Sequence, residues 1–134
     1  MRQLSVLMID AQHTDQRLLK EALESVDPAC AGVGVTNTDE ALAYLRDGGL
    51  ADLIVFTLDP DLTGIESIRA LKNDGEPRSI PVAVFSGGSG TDEADAVFAR
   101  GASLYLDKPF NFDQHLRLAS ELIDYIDSRP PDGC

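Results

Sequence analysis

Leu4–Val26, LSVLMIDAQHTDQRLLKEALESV, holds the alternation that decides the fold. Leu4 to Ile9 is almost continuously apolar, as in a strand covered on both faces. Asp10 to His13 is polar, and Thr14 stands where it can cap a helix over Asp15 to about Ser25. Leu18, Leu19, Ala22, Leu23 and Val26 keep the 3.6-residue period of a helix with one buried face.

The same strand-then-helix unit recurs along the chain. Ala31–Val35 reads as a Gly-containing strand near a sheet edge, and Thr38–Arg46 as a helix closed by Gly48 and Gly49. Leu53–Phe56 (LIVF) is a compact buried strand, followed by a polar turn, Thr57–Thr63, that contains Pro60. A helix from about Gly64 to Lys72 has Ile65, Ile68 and Leu71 on one face. Pro81 introduces the strand Val82–Phe85, and SGGSG (Ser86–Gly90) is a flexible link. Thr91 can cap a fourth helix ending at Gly101. Ser103–Leu106 is a fifth strand and Asp107–Phe110 a tight loop. Asn111 with Gln114 opens a last helix reaching about Asp127, so residues 128–134 read as a loose tail. Five strands alternating with five helices imply right-handed crossovers and an α/β, doubly wound parallel sheet in one domain over residues 1–127.

Composition narrows the function. The 134 residues carry 11 Lys+Arg against 23 Asp+Glu, a net charge of −12. Attraction to nucleic-acid phosphates or anionic membranes is therefore not expected. No run approaches the roughly 18 apolar residues of a membrane span. The first ten residues lack the pattern of a signal peptide, so a cytoplasmic protein is the expectation. Cys30 and Cys134 make neither a disulfide framework nor a zinc ligand set. His13 and His115 read as lone surface residues without ligand spacing, so no metal site is expected of them.

Doubly wound sheets carry their functional groups just past the C-terminal ends of the strands. Those ends supply Asp10 and Ala11, Thr57 and Asp59, Ser86 and Gly87, and Asp107, Lys108 and Pro109. A second feature lies on the last helix. Phe112, Leu116, Ala119, Ile123 and Ile126 form its core stripe, and Leu118 and Tyr125 fall about 120° away, a candidate partner or dimer surface.

GASLYLDKPF (Gly101–Phe110), with DQRLLKEAL (Asp15–Leu23) and RSIPVAVFSG (Arg78–Gly87), resembles the receiver domain of bacterial response regulators in its phytochrome-associated, single-domain branch. The resemblance covers about residues 4 to 127 and implies a flavodoxin-like sheet of order 2-1-3-4-5 with five helices. In that family a phosphoryl group passes from a phosphohistidine to an aspartate after the third strand, with Mg²⁺ held by carboxylates after the first and third strands. By resemblance, Lys108 is the family lysine, joined to Pro109 by a typically cis bond. Ser86 is the hydroxyl that bonds the phosphoryl group, Tyr105 the aromatic that moves with it, and Asp10 the first of an acidic pair.

The remaining positions depart from the pattern. Ala11 replaces the second acid, and Thr57 stands where the phospho-accepting aspartate belongs. With Asp10 facing Lys108, the local charge is expected near zero, and Mg²⁺ binding weak or absent. A threonine hydroxyl cannot form an acyl phosphate. The sequence thus resembles a degenerate receiver, not an enzyme. It is expected to act in two-component signalling as a phosphorylation-independent interaction module. Its expected partners are a histidine kinase or a downstream effector, or a second copy, through the side built from the fourth helix, fifth strand and fifth helix. The alternatives are a live receiver using Asp59 or Asp61, which flank Pro60, and a small flavin or phosphoester enzyme of similar topology. The loop SGGSG lacks the spacing of a dinucleotide fingerprint, and Asp10-Ala11-Gln12-His13 offers an acid where a flavin phosphate loop would want Ser, Thr and Gly.

Overall fold

The computed structural model describes residues 4–10, 12–58, 65–73, 80–87 and 91–128. Ala11, Asp59, Asp61, Cys134 and most of the SGGSG link lie outside the described residues. In chain order the elements are β1 (Leu4–Ile9), α1 (His13–Val26), β2 (Cys30–Val35), α2 (Thr38–Arg46) and β3 (Leu53–Leu58). They continue as α3 (Ile65–Asn73), β4 (Val82–Ser86), α4 (Thr91–Ala99), β5 (Leu104–Asp107) and α5 (Phe112–Ser128). The strands form one parallel sheet in the order β2-β1-β3-β4-β5. The fold class is as the alternation implied.

The period of two along each strand divides the core between the faces. Leu4, Val6 and Met8 of β1 pack with Leu53 and Val55 of β3, Ala83 and Phe85 of β4, and the inner faces of α1 and α5. Leu7 and Ile9, with Ile54, Phe56, Leu58, Val82 and Val84, face α2, α3 and α4. A strand with both faces covered has no polar side, which is why these segments read as unbroken apolar runs.

Local chemistry sets several boundaries. Asn37 caps α2 by accepting the Glu40 N–H at 2.9 Å, while Glu40 Oε1 accepts the Thr36 N–H at 2.7 Å. Gly48, at φ +96°, lets the chain turn out of that helix, so its predicted limits hold. β3 runs two residues past the predicted Phe56, because Thr57 and Leu58 still find partners in Phe85 and Ser86 of β4. Thr57 is therefore in the strand, not in the turn after it. α1 starts at His13 rather than Asp15, so Thr14 is inside the helix and Gln12 holds the capping position. Ser128, expected in the tail, belongs to α5.

Edge strand β2 is pinned from outside. Gln16 Nε2 donates to the carbonyls of Asp10 (2.6 Å) and Val35 (2.7 Å), joining the C-terminal ends of β1 and β2. A Cβ on Gly34 would collide with that amide, which accounts for a glycine inside a strand. Cys30 is buried at the other end of β2, and burial pushes its thiol up to about 11, leaving little thiolate at neutral pH.

Candidate functional site

Alternation along the strands sends Asp10, following Met8, and Thr57, following Val55, toward the α1/α5 face. There they meet Asp15 and Gln16 from α1, Lys108 and Pro109 from the β5–α5 loop, and His115 from α5. These groups line a cavity of about 20 Å³, floored by Met8, Leu19, Val55 and Phe85. That is room for about one water molecule.

Asp10 is buried. Its Oδ1 accepts the Gln12 N–H at 2.8 Å, and the Thr57 side chain stands beside the same carboxylate. Burial pushes the Asp10 carboxyl above its ordinary value, and the Asp15 charge adds to this. The Gln12 N–H, Thr57 and Lys108 oppose the shift without cancelling it.

The expected pairing of Asp10 with Lys108 is corrected by the geometry. Lys108 Nζ lies 3.1 Å from Asp15 Oδ2. Because α1 begins two residues early, Asp15 sits in its first turn, turned toward the loop that carries Lys108. Lys108 is thereby held by Asp15, and the Asp10 carboxylate has the Gln12 N–H as its partner.

His115 is also corrected. It is 3% exposed, and its Nδ1–H donates to the Asn111 carbonyl at 2.9 Å. The 115, 119, 122, 126 spacing on α5 carried this signal, since those positions share one helical face. The Lys108–Pro109 peptide is trans, contrary to the family habit.

Among the described residues no group of three or more His, Cys, Asp or Glu is placed to hold a metal ion. Of the two carboxylates the described residues bring to this cavity, Asp10 accepts an N–H and Asp15 is paired with Lys108.

The opposite face of the sheet is arranged differently. Ser86 continues the Val82, Val84 parity and so points toward α4. Its hydroxyl donates to Glu93 Oε1, and the Tyr105 hydroxyl donates to the same oxygen at 2.8 Å. Tyr105 packs against the core on this face. Burial, then the Glu93 bond and charge, push its phenol above the ordinary value. Ser86 and Tyr105 are therefore brought together as expected, through a residue the sequence reading missed. Glu93 lies in the first turn of α4, twelve positions before Tyr105, and no periodicity announces that contact.

Leu118 and Tyr125 are half-buried against the α1/α5 core, not free on the surface. The buried stripe of α5 is His115, Ala119, Leu122, Ile123 and Ile126, rotated about 35° from the predicted one toward Leu118 and Tyr125. Phe112, at the first position of the helix, overhangs the core and is exposed. Leu118 still borders a groove of about 350 Å³, together with Leu106, Phe110, Arg117 and Glu121. Phe110 there is 82% exposed.

With this geometry in hand, comparison with known proteins is informative. Residues 6–120 match the family described as the response regulator receiver domain. The chain is 27% identical over 113 residues to the chemotaxis protein CheY of Pseudomonas aeruginosa, covering 80% of this chain and 86% of that protein. It is likewise 27% identical over 135 residues to the two-component response regulator ARR6 of Arabidopsis thaliana, covering 92% of this chain and 72% of ARR6. The crystal structure of the phosphorylated cyanobacterial phytochrome response regulator RcpA superposes with a TM-score of 0.81 at 25% identity, over 95% and 96% of the two chains.

Proposed function

The chain belongs to the response-regulator receiver family, and on that premise we propose that it signals by protein contact without being phosphorylated. Receiver domains are signalling modules that meet histidine kinases and effectors, and they are generally not enzymes. One observation carries the reading: the end of β3 presents Thr57, a hydroxyl rather than a carboxyl, beside the Asp10 carboxylate. A group transferred to that place would need an anionic nucleophile and a counter-cation. At the end of β3 the described residues supply a hydroxyl, with Lys108 already paired to Asp15 beside a water-sized cavity. Binding of Mg²⁺ is proposed to be weak, for the same reason.

Partner contact is assigned to the α4–β5–α5 side. Phe98 and Phe110 are exposed large apolar groups there, and the groove beside Leu118 adjoins Phe110. The occupant is a kinase, an effector or a second copy of the chain, recognised through an apolar patch rimmed by Arg117 and Glu121.

The test is a titration with acetyl phosphate or beryllofluoride in the presence of Mg²⁺, followed by amide NMR and intact mass. The expected result is an unchanged spectrum and no adduct. Saturable shifts around Ser86 and Lys108, or a labile phosphoryl adduct on Asp59 or Asp61, would overturn the proposal in favour of a live receiver.

A further inference from the structure

Ser86, Glu93 and Tyr105 come from three elements, β4, α4 and β5, and meet at one oxygen atom. Both hydroxyls donate, and Glu93 Oε1 accepts both bonds. Hydrogen bonds to an ionised carboxylate are stronger than those between neutral groups. The carboxylate also stands near the N-terminus of α4, where the helix dipole favours negative charge. In the reading by resemblance, Ser86 bonds an arriving phosphoryl oxygen and Tyr105 moves in response. Here an anionic oxygen already reaches both groups, and the chain itself supplies it.

We propose that the Glu93 carboxylate is a built-in anion that holds Ser86 and Tyr105 in a single arrangement, fixing the α4–β5 face without any incoming ligand. The inference rests on the preceding reading in one respect: no phosphoryl group competes for Ser86. A population that would otherwise divide between two arrangements is biased by a covalently attached acceptor, whose effective concentration is independent of any donor or kinase. The face that meets partners is then permanently in one form. Signal enters through the abundance or contacts of the protein rather than through its modification.

The experiment uses the full chain and three variants: Glu93→Ala, Glu93→Gln and Ser86→Ala. Acetylation of tyrosines by N-acetylimidazole, mapped by peptide mass spectrometry, reads the freedom of Tyr105, with Tyr44 and Tyr125 as internal references. Hydrogen exchange over residues 91–105 reads the hold on α4 and β5. Glu93→Ala is expected to raise Tyr105 reactivity and local exchange roughly tenfold, the equivalent of one charge-assisted bond. Glu93→Gln, which keeps an acceptor oxygen without the charge, should fall between Glu93→Ala and the parent chain. Ser86→Ala, which leaves the Tyr105–Glu93 bond in place, should change Tyr105 less than Glu93→Ala does.

Parent-like reactivity and exchange in Glu93→Ala would overturn the proposal. Should that variant fail to fold, a parent-like Glu93→Gln would do the same. All of these are read without a phosphodonor, so the two proposals fail separately. An aspartyl adduct in the donor titration removes the phosphorylation-independent reading and leaves the Glu93 result intact. An inert Glu93 removes the latch alone.

Discussion

The α1/α5 face at the strand ends and the α4 face behind it are built from the same sheet, a few residues apart. On the first, Asp10, Thr57, Asp15, Lys108 and His115 are paired locally around room for one water. On the second, one carboxylate gathers two hydroxyls from different strands. Among the described residues, the first face closes its polar groups on one another, and the second joins Ser86 and Tyr105 through one carboxylate. Strand parity places the two arrangements on opposite faces, so each can be perturbed by itself.

The largest expected effect tests whether the two faces share one support. Phe85 is buried under the cavity and pairs with both Thr57 and Leu106. Phe85→Ala should cost about 3–5 kcal/mol in urea unfolding, the range for truncating a buried aromatic. If the faces are independent, native-state hydrogen exchange should rise around Thr57 well before residues 91–105. Equal loss on both would break the comparison.

A smaller effect probes the first face alone. Thr57→Asp sets a second carboxylate beside Asp10 and removes a hydroxyl that favours its charged form. A loss of about 2 kcal/mol is expected at neutral pH, shrinking as the solution is acidified and the carboxyls protonate. Recovery on adding millimolar Mg²⁺ would mean this face is still a cation site.

The smallest effect concerns Asp10 itself, whose carboxyl is raised by burial above the ordinary 3.8. Between 3.8 and its folded value, the native state binds more protons than the unfolded chain. Stability from this group is thus present at low pH and is lost as pH rises through that window. Asp10→Asn keeps an acceptor oxygen for Gln12 and Thr57 without the buried charge. It should show a slightly higher Tm than the parent at pH 7, with the difference vanishing well below pH 4. A lower Tm at pH 7 would show that the charge is needed by its neighbours.

Elements whose ends are decided by adjacent residues were legible in the sequence. Gly48 closes α2, and the buried strands declare themselves by unbroken apolar runs. What escaped depended on through-space partners. Lys108 could be paired from sequence only with the nearest expected acid, and the early start of α1 offered Asp15 instead. The rotation of α5 that buries His115 and half-covers Leu118 comes from packing against α1, which a helical wheel drawn for one helix does not contain. Glu93 looked like any acid near a helix start.

The bare position at Gly34 has a practical consequence for anyone rebuilding this protein. The Gln16 amide needs that space to reach the backbone of two strands at once, so position 34 and the crevice rim form one unit. A side chain at that margin would make the Gln16 amide move, so the tie between β1 and β2 at the crevice rim can be loosened from the sheet edge.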